Sequence, residues 1–184
     1  YQSIPMAITV EGANILTRSM IVFGQGAIRC HPWILQEMQA ATSDSPNAVK
    51  SFDQAFFGHV GHVISNLVRS FTLGLSNGRI SSAPVDGPVA HYYRRLNHLC
   101  AAFTFTSDIV LLTLGGTFKF KEKLSGRLAD VLSHLYLCSA MLKRFDDQGC
   151  HEEDLPLLRW GMRDSLYLIQ ERLVEVTRHL PIKL

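Results

Sequence analysis

A chain of 184 residues, with 47% hydrophobic and 18% charged residues, is long and apolar enough to bury a core and lacks the composition of a disordered segment. Its formal net charge of +2 is nearly balanced, and the lysines and arginines form no long block, which argues against a nucleic-acid-binding protein. The four cysteines contain no CxxC pair, so the sequence predicts free thiols in a reducing compartment rather than a disulfide framework or a zinc site.

The first predicted helix begins just after a glutamate–glycine step. Gly12 allows the backbone to turn, and Asn14 can cap a helix whose apolar positions recur at helical spacing over residues 12–23. Glu11 is therefore expected on a tight turn at a helix N-terminus, with its own N–H free to face a ligand. A solvated glutamate favoured by the helix dipole fits the same pattern, so this alternative stays open here.

Turn residues divide the middle of the chain into two further helical segments. His31 precedes a proline, which suits the start of a short helix over residues 32–41. A long helical pattern follows over residues 48–77, and an asparagine–glycine pair ends it. One face of this long helix carries apolar side chains at steps of three and four, namely Phe52, Phe56, Val60, Val63, Leu67 and Phe71.

Three more helices are predicted over residues 89–114, 124–147 and 155–180. The first becomes nearly all apolar after Cys100, which is typical of a central bundle helix, and we interpret it as a core helix rather than a membrane span. Because no long alternating pattern indicates a sheet, the predicted fold class is all-α. We expect an antiparallel bundle of about four long helices, with a shorter helical N-terminal part.

Two groups of polar residues on these helices are candidate sites. Asp108 lies in an apolar run, and a buried carboxylate needs a partner, for which we expect Arg127, Arg163 or Thr104. His59 and His62 stand three residues apart on a helix, a spacing that also occurs in metal sites. No carboxylate or thiol lies one turn away, so we interpret both as structural histidines and predict no metal.

The motif E-G-x-N-x-x-x-R at residues 11–18 resembles the segment that carries the catalytic base of acyl-coenzyme A dehydrogenases. Segments similar to the long bacterial members of that family, which open fatty-acid β-oxidation, are residues 8–32, 61–63, 114–116, 143–147 and 154–157. The resemblance therefore covers most of the chain, and the first motif is its most specific part.

The resemblance implies a role for each residue of the turn. Glu11 would be the general base that removes the α-proton of a fatty acyl thioester, while hydride passes from the β-carbon to FAD. Gly12 would allow the substrate to approach the backbone, and Ala13, Asn14 and Ile15 would contact the cofactor. Many members of the family have threonine where this chain has Ala13, so a side-chain hydroxyl contact is not expected there.

The resemblance also implies an organisation and a setting. Residues 1–42 would end the dehydrogenase's C-terminal helical domain, and residues 43–184 would form a helical extension. We expect a fragment of a longer chain, inactive alone, whose partners are fatty acyl-CoA, the remaining domains, an electron-transfer flavoprotein and further copies of itself. The expected location is the cytoplasm, with peripheral contact to the inner membrane as an open question. A non-catalytic helical module for oligomerisation or interaction is the alternative.

Overall fold

A computed structural model describes residues 26–181. Over that range the chain forms helices and no strand, which confirms the all-α prediction. The helices are α1 (Gly26–Cys30), α2 (Ile34–Ala41), α3 (Ala48–Leu75), α4 (Ala90–Leu114), α5 (Glu122–Asp147) and α6 (Leu155–His179), with 3-10 turns at Gly115–Phe120 and Glu152–Asp154. The bundle consists of α3 to α6. The helix predicted over residues 12–23 lies outside the described residues, and the predicted division at residues 42 and 43 stays a prediction.

Helix α3 ends in a Schellman motif, as its asparagine–glycine pair predicts. The N–H of Gly78 donates to the carbonyl of Leu73 at 2.7 Å, and the N–H of Asn77 donates to the carbonyl of Gly74 at 3.1 Å. Asn77 has a φ of 49°, a left-handed conformation that asparagine tolerates better than most residues. Two carbonyls of the last turn are thereby satisfied, and the chain leaves the helix axis at the predicted place.

The core lies between α4, α5 and α6, and all three helices contribute to each of its two apolar clusters. The larger cluster consists of Val89, Tyr92, Leu96, Leu99, Val131, Leu135, Cys138, Leu142, Phe145, Leu158, Met162, Leu166 and Ile169. The smaller one consists of Val110, Leu114, Phe118, Leu124, Leu128, Ala129 and Val176. Since burial of apolar surface is the main favourable term in folding, these helices form the stable centre of the bundle.

Helix α4 has the central position that its apolar composition predicts, because it packs against α3, α5 and α6. The segment Ala90–Phe118 is also long and apolar enough to cross a membrane when judged by length and composition alone, a test that core helices of soluble proteins pass as well. Asp108 lies within this segment and is buried against protein side chains.

Helix α3 packs with a different face from the one that its hydrophobic pattern favours. Ala55, Asn66 and Leu73 are its buried residues. The apolar side chains that recur along it are exposed or, for Val63, half-buried, and neither apolar cluster contains a residue of α3. Small and polar side chains let α3 approach α2 and α4 closely. The predicted helix is therefore correct, but the face that it turns toward its neighbours is not the apolar one.

The contact between α2 and α3 depends on a glycine. A Cβ atom at Gly58 would come within 2.6 Å of the ring of Trp33, which is closer than carbon atoms pack. Gly61, on the same helix, has open space around its Cα. A substitution at Gly58 therefore tests the packing against Trp33, whereas a substitution at Gly61 tests helix propensity.

We expect Gly58→Ala to lower the free energy of unfolding by about 1–3 kcal/mol, because the added methyl must displace the Trp33 ring. Gly61→Ala should instead raise it by up to about 1 kcal/mol, because alanine is the better helix former and meets no neighbour. Urea unfolding followed by circular dichroism measures both variants. A Gly58→Ala variant as stable as the wild type or more stable would show that Trp33 does not pack against Gly58.

Candidate functional site

The residues that the sequence predicts for catalysis and cofactor binding lie outside the described part of the chain. These are Glu11, Gly12, Ala13, Asn14 and Ile15. Their roles stay predictions. Within residues 26–181, the most concentrated group of chemically active side chains lies instead where α2, α3 and α4 meet.

We call this group the histidine cluster: His31, His59, His62 and Asp108. His31 precedes α2, His59 and His62 lie one turn apart on α3, and Asp108 lies on α4. The ring centroid of His31 is 4.7 Å from that of His59 and 5.5 Å from that of His62. Three imidazoles therefore surround one buried carboxylate.

The His31 imidazole bridges a helix start and the carboxylate. Its Nδ1 accepts hydrogen bonds from the backbone N–H groups of Trp33 at 3.2 Å and Ile34 at 3.1 Å, so it caps α2. Its Nε2 lies 3.0 Å from Oδ1 of Asp108. Since Nδ1 is an acceptor, the proton must be on Nε2, which donates to the carboxylate. His31 is thus the helix-start residue that the sequence predicts.

The pairing of Asp108 corrects the sequence prediction. None of the partners expected from sequence is the one found: Arg127 donates to Glu175 at 3.0 Å, Thr104 donates to the carbonyl of Cys100, and Arg163 is exposed. The observed partner, His31, lies 77 residues earlier in the chain. Hydrophobic periodicity places α4 in the core but does not show which loop provides the partner of Asp108.

Asp108 remains only half satisfied by His31. Its side chain is 2% exposed, and its second oxygen, Oδ2, is buried without a hydrogen-bond partner among residues 26–181. The hydroxyl of the adjacent Ser107 is also buried and has no hydrogen-bond partner in that range. Buried polar atoms of native proteins are nearly always paired, so an unpaired carboxylate oxygen indicates a place where an additional group fits.

His59 and His62 have polar partners of their own. Nδ1 of His59 lies 2.8 Å from Oε1 of Glu37 on α2, and Nε2 of His62 lies 3.0 Å from the amide nitrogen of Asn66. Burial lowers the pKa of His62, His31 and His59 lower it further, and Asp108 opposes the change. Both histidines are thus held in place by polar neighbours, and the prediction that they bind no metal stays a prediction.

Three members of the cluster, His31, His62 and Asp108, line a cleft of about 380 Å³ among the described residues. The cleft is lined by Gly26, Cys30, His31, Pro32, His62, Phe103, Thr104, Ser107, Asp108, Leu111 and Leu132. Most of its surface is apolar except at the histidine cluster. Sequence reasoning singled out Asp108 and the histidine pair separately, but nothing in their spacing indicates that they meet.

Comparison with known protein families shows which family the chain belongs to. The family model described as acyl-CoA dehydrogenase, C-terminal, bacterial type, matches residues 28–184. The chain belongs to this family. No solved structure gives a significant match. The acyl-CoA dehydrogenase resemblance drawn from the sequence is therefore confirmed at the level of the family.

The acyl-CoA dehydrogenase match includes the whole histidine cluster and the four long helices. It begins after the glutamate–glycine motif, so it does not bear on Glu11. The two candidate sites of this member of the family thus rest on different grounds: the Glu11 site rests on the resemblance of one motif, and the histidine cluster rests on described geometry.

Proposed function

We propose that this chain contributes the C-terminal helices of an FAD-dependent acyl-CoA dehydrogenase that oxidises fatty acyl-CoA to trans-2-enoyl-CoA, the first step of fatty-acid β-oxidation. The observation that carries the proposal is the family match over residues 28–184. The helical bundle supports it, because the fold class agrees with the one that the resemblance implies.

Glu11 has the decisive role in this proposal. Its carboxylate takes the α-proton of the acyl thioester while hydride leaves the β-carbon, so a carbon–carbon double bond forms and the substrate is oxidised by two electrons. Bound FAD supplies the hydride acceptor. The N–H of Glu11 donates to the thioester oxygen, on which negative charge develops as the proton leaves. The absence of a side chain at Gly12 keeps the backbone close to the substrate, and Ala13, Asn14 and Ile15 contact the cofactor.

The proposal extends to partners and location. An electron-transfer flavoprotein would reoxidise the enzyme, and further copies of the chain would complete an oligomer. The proposed location is the cytoplasm, and a peripheral contact with the inner membrane remains part of the proposal. By itself, the chain is expected to show neither tight flavin binding nor turnover.

A second candidate function is a non-catalytic helical module for oligomerisation or interaction. The exposed apolar face of α3 favours it, because Phe57, Phe71 and Leu75 are 70%, 65% and 76% exposed. Large exposed apolar patches commonly mark interaction surfaces. On this reading Glu11 only compensates a helix dipole.

Replacing Glu11 by glutamine in the flavoenzyme that contains this chain separates the two functions. We expect acyl thioester to reduce the flavin at least about 100-fold more slowly, because the general base is lost while the shape of the side chain is kept. Anaerobic stopped-flow absorbance at the flavin band measures the rate.

The matched control is Glu153→Gln, at an exposed position in the second 3-10 turn, and it should reduce flavin at the wild-type rate. Measuring the flavin content of both proteins distinguishes a slow reaction from a loss of cofactor. An unchanged rate in Glu11→Gln would contradict the catalytic proposal and support the helical module.

A further inference from the structure

We propose that the histidine cluster binds a divalent transition metal ion of the zinc type, with His31, His59 and Asp108 as its protein ligands. This inference departs from the interpretation of His59 and His62 as structural histidines, and it does not depend on the proposed dehydrogenase activity. It rests on the positions of donor atoms, on the surroundings of His59, and on the unpaired oxygen of Asp108.

The donor atoms already lie close together. One ligand atom from each of His31, His59 and Asp108 lies within 4.8 Å of the others. Ligands bound at about 2.1 Å around a tetrahedral ion are about 3.4 Å apart, so movements on the order of 1 Å would close the set. Two imidazole nitrogens and one carboxylate oxygen suit zinc and its neighbours better than magnesium or calcium, which prefer oxygen ligands.

The surroundings of His59 match the outer shell of a metal site. Its Nδ1 lies 2.8 Å from Oε1 of Glu37, so Nε2 is the ring nitrogen that this proposal assigns to the metal. Metal-binding histidines commonly donate their other N–H to a carboxylate, which fixes the ring and makes the ligand nitrogen more basic. Glu37 is therefore a positioning residue in this proposal, acting through His59.

A bound cation also accounts for the second oxygen of Asp108. Within the part of the chain that the structure describes, Oδ2 is buried without a hydrogen-bond partner, and a buried carboxylate that is incompletely paired is unfavourable. A dication supplies both the missing contact and the opposite charge. His31 and Asp108 line the cleft, and so does His62, whose ring centroid lies 5.5 Å from that of His31.

Binding must rearrange the proton of His31. In the metal-free protein Nε2 carries the proton and donates to Asp108, so a metal at Nε2 displaces this proton and breaks the hydrogen bond. Nδ1 would then carry the proton and could no longer accept the two cap bonds from the N–H groups of Trp33 and Ile34. A purely structural cluster keeps these bonds, so a measurement can distinguish it from a cluster that binds metal.

The test is titration of the chelator-treated full chain with zinc chloride, in competition with a chromophoric chelator. We expect one zinc ion per chain. His59→Ala and Asp108→Asn should weaken binding at least tenfold, because each removes a ligand, and Glu37→Gln should weaken it about 10–100-fold through the orientation of His59. His151→Ala is the matched control, since His151 is exposed and outside the cluster, and it should bind like the wild type.

Cobalt chloride gives a second readout, because a tetrahedral site with nitrogen and oxygen ligands produces visible absorption bands that Asp108→Asn should alter. Far-ultraviolet circular dichroism confirms that each variant is helical. If Asp108→Asn fails to fold, the half-exposed His59 still provides a ligand variant. Absence of binding, or binding equally weak in the wild type, the ligand variants and the control, would overturn the proposal and leave surface binding only.

Discussion

Replacing His31 by alanine is expected to lower the free energy of unfolding by about 2–4 kcal/mol in the presence of a metal chelator, because a buried carboxylate loses its hydrogen-bond donor. Among the described residues, the variant leaves both oxygens of Asp108 without a hydrogen-bond partner, because Oδ2 is already unpaired there and Oδ1 loses the imidazole. It also removes the cap of α2, whose loss by itself costs about 1 kcal/mol. Guanidinium unfolding followed by circular dichroism measures the change.

A double-mutant cycle identifies the origin of that loss. Asp108→Asn removes the charge, so His31→Ala should cost less in the Asp108→Asn background than in the wild type, with an interaction energy of about 0.5–3 kcal/mol. His151→Ala, at an exposed position, should stay within about 0.5 kcal/mol of the wild type. Additive effects of the two cluster variants would show that the hydrogen bond of 3.0 Å makes no net contribution.

Replacing Leu142 by alanine should destabilise the bundle by about 2–5 kcal/mol. Leu142 is 1% exposed in the larger apolar cluster, and truncation both loses buried apolar surface and leaves a cavity that close-packed neighbours fill only in part. Leu137→Ala is the matched control on the same helix, because this leucine is 48% exposed. Thermal and guanidinium unfolding should show a much smaller change for Leu137→Ala, and equal losses would contradict the assigned core.

The helix boundaries follow closely from local sequence signals, because those signals act locally. Gly78 and the asparagine before it end α3 in a Schellman motif, and the residues around Gly149 end α5 in the same way. The last helix begins and ends within a residue of its predicted limits, at Leu155 and His179. Turn and cap preferences belong to a few neighbouring residues, so a single sequence contains them.

The packing faces follow less well from sequence, because they depend on what the rest of the chain provides. The apolar stripe of α3 predicts a buried face, yet Phe71 is exposed and Asn66 is buried. A helix can be covered on either side, and here the side with Gly58 is the one that accepts a neighbouring ring. Spacing specifies which residues share a face but not which face meets the core.

The candidate sites show the same limit. A motif that resembles a known family predicts a catalytic role for Glu11, and the described residues do not test it. The histidine cluster joins Asp108 to a histidine 77 residues away, and no pattern in the sequence connects two positions so far apart. Polar pairs that form only through tertiary packing can be identified only from the three-dimensional structure.

The sharing of both apolar clusters among α4, α5 and α6 has a consequence for how the molecule comes apart. Neither cluster can be opened without exposing the other, so these helices should melt together in one cooperative transition. Helix α3 contributes to neither cluster and rests on small and polar contacts, so its backbone amides should exchange with solvent before those of its three neighbours. On heating, α3 should therefore separate from the bundle first, and this helix carries two of the three imidazoles of the histidine cluster.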